Sequence, residues 1–457
     1  MVILLLLTAA APAFFFIYDL WAITAAIFIS LPFAFRKHRF PPAFMWILVF
    51  ILSGIFVSAR SFASFDSFTF ILQSVLYAAF FLAGQELASR RKRPIVTVPI
   101  EALIPLAALA IIPFLFSGKA NVNPNIVSSY AGLLFALLIV SPAEKILKYI
   151  LGAAALAVIL VNGSWTVLFV LGAAGILAGK KKYLPLIPLL AVFALALNPR
   201  SGMERFLWWG ESFKIFAANP LGIGFFASKY YLAAPLGAAP NTLFVHSFFL
   251  QLLCEGGILC LIPLGFAVNI FFKNKRGGRY DFALYAVLLL GVMDLSYHIT
   301  AHGMLGALII GITLRPEDAT HKCGKIYSVV FKTLFISAAF LSVIMFSNSR
   351  ALARGAAFLF AGDARQAEKV FDKAFNYPAY PALLSAKAAA YSIIAEKEGL
   401  SDFRKRSFEF QEKALPAKNL KIPAYRDFVT ARLTGNLGLL RNSCMEILFL
   451  NGIRPHS

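Results

Sequence analysis

From residue 2 to residue 347 the chain runs as one apolar stretch after another, parted by short loops in which lysine and arginine collect. No other feature limits the fold as strongly. In hydrocarbon each segment must satisfy its own backbone N–H and C=O groups, which points to helices. Thirteen candidate spans are read, at roughly 2–17, 21–35, 42–58, 67–87, 97–116, 126–141, 147–161, 164–179, 183–197, 248–272, 281–297, 302–314 and 326–347. Several are shorter than the ~20 residues of a perpendicular crossing. Only 14% of the 457 residues are charged, against about a quarter in an average soluble domain. The expected class is all-α: a polytopic membrane helix bundle of about 12–13 spans, followed by a soluble helical-repeat domain.

The net charge of +21 would suit a nucleic-acid-binding protein, but its distribution argues against one. With the N-terminus inside, the inner loops hold 19 Lys+Arg and the outer loops 6, the bias that sets membrane topology. An odd number of spans then puts the C-terminal region outside. The opening "MVILLLLTAAAPAFFFIYDLW" lacks a basic flank and is read as a membrane segment rather than a cleaved signal. Cys254, Cys260, Cys323 and Cys444 show no metal-type spacing and no disulfide framework.

The domain boundary is read at 347/348, where the composition turns charged and Ala-rich. "ALARGAAFLFAGDARQAEKVFDKAFNYPAYP" predicts two short helices joined by Gly362-Asp363, with Ala367, Phe371 and Ala374 on one face of the second. The small residue, the aromatic and the closing proline resemble a tetratricopeptide repeat. Two more degenerate helix pairs are expected near 381–414 and 421–450. Such a domain serves as a cap or docks a protein partner; direct substrate contact is the alternative.

The largest outer loop, about 198–247, carries Arg205, Trp209, Pro220, Gly222, Gly224 and His246. Arg205-to-Trp209, then Pro220-Leu221-Gly222-Ile223-Gly224, then His246-Ser247 running on to Gly256-Gly257 resembles the O-antigen ligase/O-antigen polymerase superfamily of bacterial polytopic membrane glycosyltransferases. "NVNPN" resembles that family's Asn-x-Asn motif, at Asn123 and Asn125. The resemblance covers roughly 40–315. It implies an enzyme of the bacterial inner membrane, acting in lipopolysaccharide or cell-envelope assembly. The reaction it implies moves a glycan from an undecaprenyl-type polyprenyl diphosphate to a lipid A core, a glycan chain or a protein at the outer face. His246 is then the general base and Arg205 the diphosphate ligand, with Arg200, Lys229, Trp209, Gly222, Gly224, Ser247, Asn123 and Asn125 contacting substrate. Two departures stand out. Ser247 replaces the family's Asn, and Ser164-Trp165 replaces its Ser-Arg, so Arg200 or Lys229 has to supply the missing cation.

The residue chemistry fits those roles. An imidazole takes a proton near neutral pH, and arginine's planar fork matches a diphosphate. Gly222 and Gly224 permit tight turns, and their N–H groups are candidates to meet phosphate oxygens. Each residue also has a plain alternative: an interfacial or capping His246, an Arg205–Glu211 ion pair, and an interfacial belt for Trp208 and Trp209.

Asp294, His298 and His302, four apart, would share one face of a continuous helix and suit a metal or a polar cavity. Gly303 argues against continuity. Glu101, Glu255 and Asp294 are ionisable groups within apolar runs and are suspect for that reason. There is no Asp-x-Asp, P-loop or His-Glu-x-x-His, so no metal and no cofactor is expected. The alternative function is a transporter or flippase of lipid-linked or polar solutes, though no internal repeat of the kind such proteins show is visible. A third reading makes the repeat domain an assembly platform and the membrane part vestigial.

Overall fold

The computed structural model of the chain describes residues 20–38, 40–90, 124–140, 145–179, 186–187, 199–232, 245–293, 299–314, 324–375, 379–415 and 423–451. The spans expected at 2–17 and 97–116 lie outside these residues, as do all but 186–187 of the span at 183–197, and Asn123, Glu101, Asp294 and His298. The side chains of Asn125 and Arg200 lie outside them too.

Among the described residues the elements are helical throughout. In the membrane region they are α1 (Leu20–Ala34), α2 (Pro42–Arg60), α3 (Ser64–Arg90), α4 (Pro124–Val140), α5 (Lys145–Val161) and α6 (Trp165–Ala178). They continue as α7 (Pro199–Ala218), α8 (Phe248–Lys273), α9 (Arg279–Met293), α10 (Thr300–Thr313) and α11 (Gly324–Phe360). Pro42–Arg60, Ser64–Ser89, Phe248–Lys273 and Gly324–Phe360 are long and apolar enough to cross a membrane; α1, α4, α5, α6 and α10 are shorter apolar helices.

α3 is the buried axis of the bundle. Its closest neighbour is α10, and glycines explain the approach. A Cβ on Gly84 would overlap the Leu308 carbonyl, and one on Gly311 would overlap the Phe81 carbonyl. Two helices meeting backbone to backbone gain dispersion contact that a lipid tail cannot match. Polar side chains tie the same pair: Gln85 donates to the Gly311 carbonyl at 2.6 Å and Gln73 to the Thr300 hydroxyl at 2.8 Å. α2 packs on α8, α9 on α6 and α4, and α1 on α11.

α11 runs unbroken for 37 residues. The boundary read at 347/348 therefore falls inside one helix. Gly362 turns the chain at φ +84°, and Asp363 caps α12 (Ala364–Phe371) by accepting the Gln366 N–H at 3.0 Å. Ala367 and Phe371 are buried, with Phe371 lying over Gly355. The helix pairs α13 (Pro381–Glu398) with α14 (Ser401–Ala414), and α15 (Pro423–Thr434) with α16 (Leu437–Leu450), follow.

These helices are not a detached module. Phe65 of α3 stacks on Tyr380 with ring centroids 3.7 Å apart, and the Phe65 N–H donates to the Ala379 carbonyl at 2.9 Å. One apolar cluster joins Ile223, Tyr230 and Val245 of the large loop to Leu359, Ala386 and Leu448. Burying that cluster stabilises both regions together, at roughly 25 cal/mol per Å² of apolar surface.

Candidate active site

The first correction concerns the segment read as a large loop at 198–247. Its N-terminal half, read as loop, is the 20-residue helix α7. Trp208, Ser212 and Ile215, at helical spacing, face inward. Met203, Phe206, Leu207 and Phe213 stay exposed, the pattern of a helix whose outer face suits a bilayer interface.

The segment after α7 docks into a break in α8. Gly257 takes φ +61°, ψ −165° inside that helix, so nearby carbonyls lose their intrahelical donors. The loop supplies replacements. Ile223 N–H donates to the Cys254 carbonyl at 3.2 Å and Gly224 N–H to the Glu255 carbonyl at 2.9 Å. In return, Ile258 N–H donates to the Pro220 carbonyl at 3.0 Å. On the other flank Ser61 and Ser67 donate hydroxyls to the Ile223 and Phe225 carbonyls, both at 2.9 Å. The Phe225 ring stacks on Phe70 at 4.4 Å.

This geometry corrects the phosphate reading of Gly222 and Gly224. Gly222 N–H donates to the Asn219 carbonyl at 2.8 Å and Gly224 N–H to Glu255, so neither amide faces a ligand. Both glycines are needed for another reason: φ is +88° and +100°, and a Cβ would strike the Glu255 carbonyl or Ser61.

Lys229 is corrected as well. It is half-buried, with its Nζ 3.1 Å from Asp66 Oδ2 and donating to Asn451 Oδ1 at 2.7 Å. A lysine so neutralised is a structural link. The Tyr230 hydroxyl completes the cluster at 3.2 Å from Asp66, and burial, with the Asp66 charge second, pushes it well above its ordinary range. Asp66 and Asn451 escaped sequence reading because they lie more than 160 residues from their partners.

Ser247 caps α8: its side chain accepts the Leu250 N–H at 3.5 Å. It is buried, and this capping role is where the structure places the residue read as a substrate contact. The capping alternative considered for His246 thus belongs to its neighbour. His246 itself adopts φ +56°, a left-handed conformation that His visits more readily than most residues but that still costs energy. Its imidazole stacks on Trp208, with centroids 4.7 Å apart and planes 21° apart.

Arg205 does not pair with Glu211, which binds Lys214 at 2.8 Å. Its Nη1 donates instead to the Thr166 hydroxyl at 3.1 Å and the Met293 carbonyl at 3.3 Å. These neutral acceptors orient the guanidinium without cancelling its charge. On α7 Arg205 lies three residues before Trp208, so the two are surface neighbours about 5–6 Å apart at Cβ. Indole and imidazole therefore form one stacked pair, and Arg205 stands one turn before the indole on the same helix. Trp209 packs edge-on to Phe206 at 5.4 Å; Trp208, read with Trp209 as part of an interfacial belt, is instead buried and stacks on His246.

His302 leaves the metal set. α10 begins at Thr300 behind an extended Ile299, so the helix that carries His302 does not continue back through that residue. Its Nε2 donates to the Ile126 carbonyl at 2.9 Å, and its ring lies edge-on to Tyr130. Among the described residues no group of three or more His, Cys, Asp and Glu is placed to hold a metal.

Comparison with curated proteins finds no match, and comparison with solved structures finds none. Comparison with protein families finds one, over residues 124–265, which include Arg205, Trp208, Gly222, Gly224, His246 and the broken part of α8. The family to which this segment of the chain is similar is O-antigen ligase.

Proposed function

We propose that the protein transfers a glycan from a polyprenyl-diphosphate-linked donor to an acceptor at the outer face of the bacterial inner membrane. The observation that carries this reading is the cluster of Trp208 and His246, with Arg205 one turn earlier on α7, within the segment similar to O-antigen ligase. In the reaction His246 takes the proton of the acceptor hydroxyl, raising its nucleophilicity as it attacks the anomeric carbon. The C–O bond to the diphosphate breaks, and the diphosphate leaves with the electron pair. Arg205, oriented by neutral oxygens, receives the developing charge through its fork.

Exposed Phe206 and Leu207 on α7 keep this cluster at the depth of lipid headgroups, where a diphosphate on a membrane-embedded tail resides. The C-terminal helices lie on the same outer side in this reading. The acceptor class, whether lipid, glycan or protein, follows from surfaces other than this cluster.

Purified protein in vesicles, given a polyprenyl-diphosphate saccharide and a saccharide acceptor, tests the reading. A new glycosidic product supports the transferase. Movement of the lipid-linked saccharide across the vesicle without product makes the protein a transporter instead.

A further inference from the structure

A chain of polar groups, half-buried at Asn451 and Lys229 and fully buried from Tyr230 onward, runs from the end of α16 to the residue before the histidine. Asn451 accepts from Lys229 Nζ at 2.7 Å, and its amide nitrogen donates to the Tyr230 hydroxyl at 3.2 Å. Ser228, next in the chain, donates its N–H to Glu255 Oε1 at 3.2 Å. Gln251, one turn earlier on α8, donates its side-chain amide to the same oxygen at 3.0 Å and to the Ser228 hydroxyl at 3.4 Å. The oxygen of that amide accepts the N–H of Val245 at 3.3 Å. Val245 is the residue before His246.

The direction of the relay is fixed. A backbone N–H can only donate, so Gln251 must turn its oxygen to Val245, which leaves its nitrogen to donate to Glu255. Ser228, Gln251 and Glu255 are all fully buried, where an unmade hydrogen bond is costly. A left-handed residue persists only when its surroundings over-determine it. His246 meets that condition: Gln251 holds the residue before it, and Ser247 caps the helix after it.

We propose that Gln251 and Glu255 are positioning residues. Together they hold the Val245–His246 turn so that the imidazole stacks on Trp208, and Asn451 anchors the opposite end of the relay through Lys229 and Tyr230. Any catalytic consequence rests on the reading of His246 as the base, but the positioning itself is measured separately.

Trp208 supplies the signal, because a protonated imidazole quenches an indole stacked on it. With the full chain in detergent micelles, tryptophan emission followed from pH 5 to 8 should show a step that Trp208→Phe and His246→Gln both abolish. Gln251→Asn, one methylene too short to span Val245 and Glu255, should lose most of that step while far-ultraviolet circular dichroism stays unchanged. Glu255→Leu should behave likewise, whereas Glu255→Gln, which keeps an oxygen for the Ser228 N–H, should restore it. The absence of a Trp208-dependent step in the parent, or a full-sized step in folded Gln251→Asn, overturns the proposal. Wild-type transfer by His246→Gln would instead overturn the catalytic reading and leave the stacking result standing.

Discussion

Gly257 and Gly222 pack so closely that a Cβ on Gly257 would overlap the Gly222 amide nitrogen. That contact seats the large loop in the break of α8. Gly257→Ala adds left-handed strain and this overlap together, so it should destabilise the protein by on the order of 3 kcal/mol. Thermal unfolding of the detergent-solubilised variant checks this. Gly265→Ala, at a helical glycine with open space around it, should be nearly neutral.

His246→Gln should lower turnover by about 10²–10⁴-fold, roughly 3–5 kcal/mol of barrier, with little loss of folded protein. Glutamine accepts a hydrogen bond but cannot hold the proton. Near wild-type turnover would show that the imidazole is only a stacking partner of Trp208.

Arg205→Lys keeps the charge and loses the fork. Transfer should fall at least about tenfold, since bidentate recognition is not reproduced by an ammonium. The Thr166 and Met293 contacts are to neutral oxygens, so the melting temperature should change little. A lysine variant with full activity makes the arginine structural.

Much of the helical content was legible because bilayer-length apolar runs admit few alternatives. Spans read at 42–58, 67–87, 126–141 and 248–272 correspond to α2, α3, α4 and α8. α7 was missed because its charges at Arg205, Glu211 and Lys214 resemble a loop, although Phe206, Leu207 and Phe213 already stood at helical spacing. The break at Gly257 left only the trace of two adjacent glycines. Of the candidate site, residue types and order could be read, but partners could not. Nothing local in "ASKYY" tells Lys229 that Asp66, 163 positions earlier, will neutralise it, or that Trp208 rather than Trp209 will meet His246. Such pairings are set by which helices pack together.

Because Lys229 is paired with Asp66, Lys229→Met should act through folding. Removing one partner of a mostly buried pair strands the other charge, at a cost of about 3 kcal/mol. The double variant Lys229→Met with Asp66→Leu should be less destabilised than either single one. If Lys229→Met instead raises KM for the lipid-linked donor at unchanged stability, the lysine contacts substrate after all.

Glu446 on α16 sets a pH dependence. Burial, with Asp427 nearby adding to it, raises its carboxyl to about 7, whereas an unfolded glutamate titrates near ~4.3. A raised folded value means that its contribution is fully present below ~4.3 and is lost as pH rises through about 7. Glu446→Gln should therefore raise the melting temperature at pH 8 and change it little at pH 5. Equal effects at both pH values would contradict this assignment.

The unbroken α11 makes rotational phase a structural quantity. Its 37 residues span about 55 Å at 1.5 Å per residue, against a hydrocarbon core of about 30 Å. The part beyond the bilayer is thus a rigid shaft carrying α12–α16. One residue added near position 347 would turn that shaft by about 100° and swing Asn451 away from Lys229. Four added residues would nearly restore the angle but lift the same helices by about 6 Å. The distance and bearing of the C-terminal helices from the loop that holds Lys229 are therefore set by residue count within a helix, as a gear is set by its teeth.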